Sequence, residues 1–517
     1  MRSIIIIEYG INLILLLGFH MHMFQLNSYF FGKHIHWMKN NIKKIIIQLG
    51  LILVSLLLLY VNNMIGSGIA IFLLALSIGY NLPKQKAKVP FKLTNRVKRM
   101  FLTEMILIAI FIVIGGINQY LCIRLGIINI ISIVLCLIAN AINMPIEHFE
   151  QQRYIKQAKK ILKEMPDLLV IGVTGSYGKT SVKNFLYKIL STKYEVLKTP
   201  KNFNTTMGVV KTIREKLKPT HQIFICEMGA TKPGDIKEIC DIVKPKMGII
   251  TSIGPQHLES FKSIENIIKA KFELADSVKE NHGVMFLNGN DTNIVNTIQE
   301  KTDINVILYG VENKAFTYNA YDLKSSPKGL TFKMRDEQKQ EIDFKTKLIG
   351  KHNVTNMTAG MAVGNHLGIP IKNMVASIRE IQSVEHRLQL IPHGNLTIID
   401  DSYNANPVSS KLALETLSQF EGIKIIVTPG LIELGEKEDT YNFQFGQYIT
   451  EVCDYIFLVG EEHSKEVLKG IYSRRFNKRK IFIVHTPEEA VKKASKYAVK
   501  NKVTVLLEND LPDNYNL

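Results

Sequence analysis

The sequence predicts a chain in three parts: N-terminal transmembrane helices, a central P-loop ATPase-type domain with a parallel sheet, and a C-terminal Rossmann-like α/β domain. Three observations carry this expectation. Apolar runs of bilayer-spanning length are confined to residues 1–146, strand-like segments alternate with helical patterns beyond residue 166, and a glycine-rich turn follows the first of those strands.

The 517 residues exceed one ordinary domain. A hydrophobic content of 46% with 21% charged residues excludes a disordered chain, and a mean hydropathy of +0.07 is high for a soluble one. The formal charge is +18, and residues 1–150 contribute +9 of it from thirteen basic and four acidic residues. The five cysteines, Cys122, Cys136, Cys226, Cys240 and Cys453, form no C-x-x-C pair. They therefore suggest neither a zinc site nor a disulfide framework, and read as buried thiols in a reducing setting.

Uncharged stretches cover residues 45–61, 64–80 and 125–143, and two more, 3–24 and 101–123, carry only Glu8 and Glu104. Each approaches the roughly 17–25 residues needed to cross a bilayer, so four or five spanning helices are expected within residues 1–146. No small-residue cleavage site follows the first run, against a signal peptide. Between residues 81 and 100, seven basic residues (Lys84, Lys86, Lys88, Lys92, Arg96, Lys98, Arg99) meet no acidic one. The positive-inside rule places that loop in the cytoplasm, and two further crossings return the chain there. The basic loop is accounted for by topology and anionic-lipid contact, with no nucleic-acid partner expected. Glu8 and Glu104 lie near the ends of their runs, where an interfacial position is expected.

Residues 147–166 are polar and basic, with Ile155, Ala158, Ile161 and Leu162 at helical spacing, which predicts an amphipathic connector. Strands are predicted at 168–173, 222–227, 247–253, 283–287 and 304–309, giving a central domain over 167–383. A second series at 396–400, 423–427, 455–459, 480–484 and 503–507 gives a C-terminal domain over 384–517.

The strongest chemical signal is the segment Thr174-Gly175-Ser176-Tyr177-Gly178-Lys179-Thr180-Ser181 after the first strand. Gly175 and Gly178 permit tight turns and the helix N-terminus offers free N–H groups. Lys179 reaches terminal phosphates, and the Thr180 hydroxyl can ligate Mg²⁺. A glycine is missing where Val173 sits, so the longer G-x-x-x-x-G-K pattern is incomplete. Glu227 ends a strand-like apolar run, where a carboxylate is badly placed unless it meets a metal or a partner. His257 follows a strand in a Gly-Pro turn, and Lys271 lies in a helical run.

The phosphate loop has the T-G-x-x-G-K-T-[TS] form and resembles that of the Mur ligases, ATP-dependent amide-forming enzymes of peptidoglycan synthesis. The resemblance extends in order through Asn202-Phe203-Asn204 and Gly208, Glu227-Met228-Gly229-Ala230 with Gly234-Asp235-Ile236, and Ile253-Gly254-Pro255-Gln256-His257-Leu258-Glu259. It continues through Lys269-Ala270-Lys271-Phe272-Glu273, Gly350-Lys351-His352-Asn353-Val354-Thr355-Asn356 and Asp400-Asp401-Ser402-Tyr403-Asn404-Ala405-Asn406-Pro407 to Glu433-Leu434-Gly435. The last two blocks are most similar to the MurF type. The resemblance implies ATP and Mg²⁺ as cofactors, with Lys179 on the phosphates and Thr180 and Glu227 on a metal. It implies His257 and a carbamylated Lys271 on a second metal, Arg387 on phosphate, Asp401 on the ribose and Asn353 on adenine. Asn202, Asn204, Tyr403, Asn404 and Asn406 are weaker expectations for substrate contacts.

Three departures matter. Membrane-like helices stand where the family has a soluble UDP-binding domain, and residues 507–513 (Leu-Glu-Asn-Asp-Leu-Pro-Asp) replace a K-G-S-R-like contact; Asn442 also stands where the family usually has His. The expected function is a membrane-anchored ligase joining a carboxylate and an amine through an acyl phosphate. Its partner is expected to be a lipid-linked cell-wall precursor, and its catalytic domains are expected to be cytoplasmic. A nucleotide-binding membrane scaffold or sensor is the alternative, and a transport ATPase a weaker one.

Overall fold

A computed structural model describes residues 1–60, 64–82, 89–115, 120–301, 303–403, 405–461 and 464–510. Lys84, Lys86 and Lys88 of the basic loop, Asn404, and residues 511–513 of the C-terminal departure lie outside the described residues. The chain divides into two units, Met1–Gln152 and Arg153–Asp510.

The first unit is helical: α1 (Arg2–Leu26), α2 (Phe31–Asn40), α3 (Ile42–Tyr60), α4 (Met64–Asn81), α5 (Asn95–Gly115) and α6 (Leu121–Lys163). Among the described residues, four of these, α1, α3, α4 and α6, are long and apolar enough to cross a membrane. The expected run 101–123 is not one helix. It begins six residues earlier, where Thr94 Oγ1 accepts the Val97 N–H at 3.3 Å, and stops at Gly115. Glu104 consequently falls in the third turn of α5, where it is fully buried. The connector 147–166 is no separate element either, because α6 continues through Pro145 to Lys163 while Ile155, Ala158, Ile161 and Leu162 keep their helical spacing. Buried polar contacts tie the helices together. Tyr9 Oη meets Ser55 Oγ at 3.0 Å, Ser77 Oγ donates to Asn12 Oδ1 at 2.9 Å, and Asn143 Nδ2 donates to Thr103 Oγ1 at 2.8 Å. Such interhelical bonds are the usual glue where apolar burial alone cannot select partners.

The second unit carries two sheets. The first holds β1 (Leu169–Thr174), β2 (Val196–Lys198), β3 (Ile223–Glu227), β4 (Met247–Ile250), β5 (Val284–Asn288), β6 (Val306–Val311), β7 (Tyr318–Ser326), β8 (Gly329–Arg335) and β9 (Glu341–Thr346), in the order β2-β3-β1-β4-β5-β6-β7-β8-β9. It is parallel from β2 to β7, then antiparallel. β1 is buried on both faces. Ile171 and Val173 pack with Val182, Phe185, Leu186 and Ile189 of α7 (Lys179–Leu190), while Val170 joins the opposite core with Phe224 and Leu274. Each such side chain contributes about 1.5–3 kcal/mol on burial. The strands β7, β8 and β9 were not expected: from Tyr321 to Thr346 they largely alternate exposed and buried residues and read as polar.

The second sheet comprises β10 (Gln389–His393), β11 (Leu396–Asp401), β12 (Ile423–Thr428), β13 (Tyr455–Val459), β14 (Ile481–Val484) and β15 (Val503–Glu508), in the order β10-β11-β15-β12-β13-β14. Only the unforeseen β10 is antiparallel. In both sheets the chain reverses direction of travel beside a central strand, and the carboxyl ends of such strands are where α/β sheets bind ligands.

Candidate active site

The turn between β1 and α7 is shaped by two glycines with left-handed backbones, Gly175 (φ +145°) and Gly178 (φ +83°). A Cβ on Gly175 would lie 2.1 Å from Thr251 Oγ1, and one on Gly178 would lie 2.6 Å from Asn356 Oδ1, so only glycine fits either place. The turn is pinned from β4. Ser176 N–H donates to Ser252 O at 2.8 Å, Tyr177 N–H donates to Ser252 Oγ at 2.9 Å, and Thr251 Oγ1 donates to Tyr177 O at 2.5 Å. α7 then starts with Gly178 as N-cap and no side-chain cap, leaving its first N–H groups for an anion. Lys179 arches back to donate to Gly175 O at 2.6 Å and Ser176 O at 2.9 Å. Burial pushes its pKa down to about 8, with Arg387 adding repulsion and Glu227 opposing the fall. A bound phosphate would supply the missing counter-charge.

Glu227, at the carboxyl end of β3 beside β1, is 1% exposed. Its Oε1 accepts from Thr180 Oγ1 and from Asn204 Nδ2, each at 3.1 Å, and its Oε2 pairs with Lys183 Nζ at 2.7 Å. Burial alone would raise its pKa, but the Lys183 ammonium, with Lys179 and Asn204, holds it below the ordinary value. Thr180 Oγ1 and Glu227 Oε1 are thus two hard oxygens side by side at the mouth of the phosphate loop. That donor set suits Mg²⁺, and the glycine-lined cradle suits a polyphosphate.

His257 has φ +52° and opens the short helix Leu258–Phe261. Its Nδ1 pairs with Glu433 Oε2, joining the first sheet's loops to those of the second. Lys271, on the helix Ile264–Glu280, is 3% exposed, with its ammonium 5.8 Å from the Phe261 ring centroid. Burial holds its pKa well below 10.5, and Lys179 repels it further. Among the described residues, no group of three or more His, Cys, Asp or Glu side chains is arranged to hold a metal ion.

In the second sheet's domain, Arg387 lies 4.5 Å from the Tyr403 ring centroid, and Asp401 Oδ1 accepts the Leu388 N–H at 3.1 Å. Burial pushes Asp401 up to about 6 against the pull of Arg387. Asn353 donates its amide to Ile349 O at 2.8 Å, keeping its side-chain oxygen uncommitted by that bond. Asn406 caps the helix Pro407–Ser418, accepting from Val408 and Ser409 N–H groups, while Tyr403 is exposed. Asn202 is exposed in the loop before Asn204. The sequence singles out none of Lys183, Thr251 and Ser252 as site-forming, whereas Asn356 closes the family block Gly350–Asn356. The one available signal was the pair Thr251-Ser252 directly after β4, a strand edge next to the phosphate loop.

A phosphate cradle at the switch point of one parallel sheet, joined to a second sheet domain bearing Arg387 and Asp401, defines a two-domain nucleotide-phosphate-binding α/β protein. The chain belongs to the Mur ligase family: residues 173–364 match the Mur ligase middle domain, and residues 386–508 match the Mur ligase, glutamate ligase domain. It is 33% identical over 311 residues to the UDP-N-acetylmuramoyl-tripeptide–D-alanyl-D-alanine ligase of Bacillus subtilis, covering 59% of this chain and 65% of the relative. It is 29% identical over 353 residues to the ligase of that name from Haemophilus influenzae, covering 66% of this chain and 75% of that one. MurF from Acinetobacter baumannii superposes with a TM-score of 0.63 at 26% identity, over 70% of this chain and 77% of that one. MurF ligase from Thermotoga maritima, solved in complex with ADP, gives 0.62 at 25% identity over 70% and 80%. Mur ligases use ATP and Mg²⁺, in keeping with the cradle and the Thr180–Glu227 oxygens.

Proposed function

We propose that this protein is a membrane-anchored, ATP-dependent amide ligase of cell-wall or envelope polymer synthesis. The observation that carries the reading is the Thr180–Glu227 oxygen pair set at the mouth of a phosphate cradle on a Mur ligase fold. A substrate carboxylate attacks the γ-phosphate of ATP, giving an acyl phosphate and ADP. An amine then attacks the acyl carbon and phosphate leaves, forming the amide. Lys179 and the α7 N–H groups hold and neutralise the transferring phosphoryl group, the main task in such transfers. Mg²⁺ held by Thr180 and Glu227 would neutralise phosphate charge. Arg387 and Asp401 bind the nucleotide's phosphate and ribose, and Asn353 its adenine. His257 and a carbamylated Lys271 would hold a second cation, which would supply further charge neutralisation. Acceptor-dependent ADP release tests the reading; its absence in folded protein that binds nucleotide would instead favour a scaffold.

The buried, electrostatically disfavoured ammonium of Lys271 supports carbamylation, since a neutral amine is the form that adds to CO₂. Lys271→Ala is expected to lose most of its turnover and regain part of it with formate or acetate, while the wild-type chain carries the mass of one added CO₂. Full activity in the unrescued variant would place Lys271 outside the chemistry.

Four apolar helices of spanning length among the described residues support a multi-pass cell-membrane location; the basic residues of the 81–100 loop and the ligase domains share the cytoplasmic side when α5 crosses together with α6. The relatives' printed names specify a UDP-linked muramoyl tripeptide and D-alanyl-D-alanine. Here the substrate is a lipid-linked precursor, because confining enzyme and lipid to one surface raises their effective concentration. The full chain and a shortened chain beginning at Ile155 are each to be offered UDP-linked and lipid-linked precursors. The full chain is expected to prefer the lipid-linked one. Equal use of the soluble precursor by both chains, with none of the lipid-linked one, would reject the membrane substrate and spare the ligase chemistry.

A further inference from the structure

Lys183 is 1% exposed on α7, the helix that also buries Val182, Phe185, Leu186 and Ile189. An ammonium so placed is costly unless paired, and replacing a buried ion pair with well-packed apolar side chains is often neutral or stabilising. Stability therefore does not by itself account for a lysine here. Its two contacts do. Nζ lies 2.7 Å from Glu227 Oε2 and donates to Lys201 O at 2.6 Å. Lys201 has φ +44°, an unfavourable conformation for a non-glycine residue, in the loop that leads to Asn204. Asn204 is held at the other end, accepting the Gly229 N–H at 2.7 Å and donating to Glu227 Oε1 at 3.1 Å.

We propose that Lys183 is a positioning residue that pins one oxygen of Glu227, leaving the other beside Thr180 for the divalent cation, and locks the 199–205 loop to the same carboxylate. The proposal rests on Thr180 and Glu227 being cation ligands. Ligands of this kind depend on the groups that orient them, and losing such a group typically weakens metal binding or activity about 10–100-fold.

The test uses the full-length chain in detergent with Lys183→Met and Lys183→Gln. Mn²⁺ affinity is read by electron paramagnetic resonance with ADP present, and the 199–205 amides by hydrogen exchange. Both variants are expected to bind Mn²⁺ about 10–100-fold more weakly, to exchange faster at Phe203 and Asn204, and to bind ADP without metal as the wild type does. Mn²⁺ affinity within twofold of wild type would overturn the proposal whatever the thermal midpoint does. Lys183→Gln, which keeps a donor for Lys201 O, decides the matter if the Met variant does not fold. Glu227→Gln is the control for the underlying reading: unaltered Mn²⁺ binding there removes the cation-ligand assignment itself. Failure of acceptor-dependent ADP release in the wild type would reject only the ligase reading.

Discussion

Lys179→Ala is expected to lower the rate of acceptor-dependent ADP release by at least about 10²–10³-fold, the loss usual when one pre-placed donor to developing charge is removed. The thermal midpoint should hardly fall. In the nucleotide-free chain the ammonium bonds only two carbonyls of its own turn, Gly175 O and Ser176 O, and it carries a burial penalty that lowers its pKa to about 8. Removing it therefore takes away a desolvation cost along with those hydrogen bonds. The measurement pairs steady-state ADP release with thermal unfolding of the same preparation. Turnover within threefold of wild type in folded protein would end the phosphate-loop reading, because among the described residues no other amine donates within that turn.

Glu227→Gln is expected to act on both activity and stability. Turnover should fall by about 10²-fold or more with the loss of an anionic ligand for the cation. Stability should fall by about 3–5 kcal/mol, since Lys183 keeps its burial and loses its counter-charge. The pH dependence has a definite sign. A carboxylate whose folded pKa lies below the ordinary 4.5 adds stability that is present above 4.5 and fades as pH falls through the folded value. The gap between wild type and Glu227→Gln should thus be full at pH 7 and narrow below pH 4.5. A gap that stays constant down to pH 3 would mean that the charge pair is not what the substitution removes.

The phosphate loop was legible because its chemistry is local. Gly175, Gly178, Lys179 and Thr180 lie within six consecutive residues, and a strand before and a helix after them were readable from periodicity. Glu227 was legible for the opposite reason, a charge at the end of an apolar strand. Lys183 was not, because a lysine between Val182 and Asn184 on a helix reads as solvated, and only the packing of α7 against β3 and the 199–205 loop turns it inward. Strands β7–β9 escaped for a similar reason: one face is wet, so their composition resembles loop, and pairing between strands, not sequence, decides them.

By itself, the sequence determined those features that one continuous segment can specify: apolar runs of spanning length, the alternation of strand and helix, the cradle with its lysine and hydroxyl, and the ordered blocks of a Mur ligase. The tertiary structure alone decided which distant groups meet. It set the Thr180 hydroxyl against Glu227, Lys183 beneath that carboxylate, and His257 against Glu433, and it made most of the 147–166 segment continuous with α6. The physical reason is that local propensity and periodicity act over a few residues. Ion pairing and burial depend on how elements far apart in the chain are brought together, and a side chain's charge becomes chemistry only once that packing has chosen its neighbours.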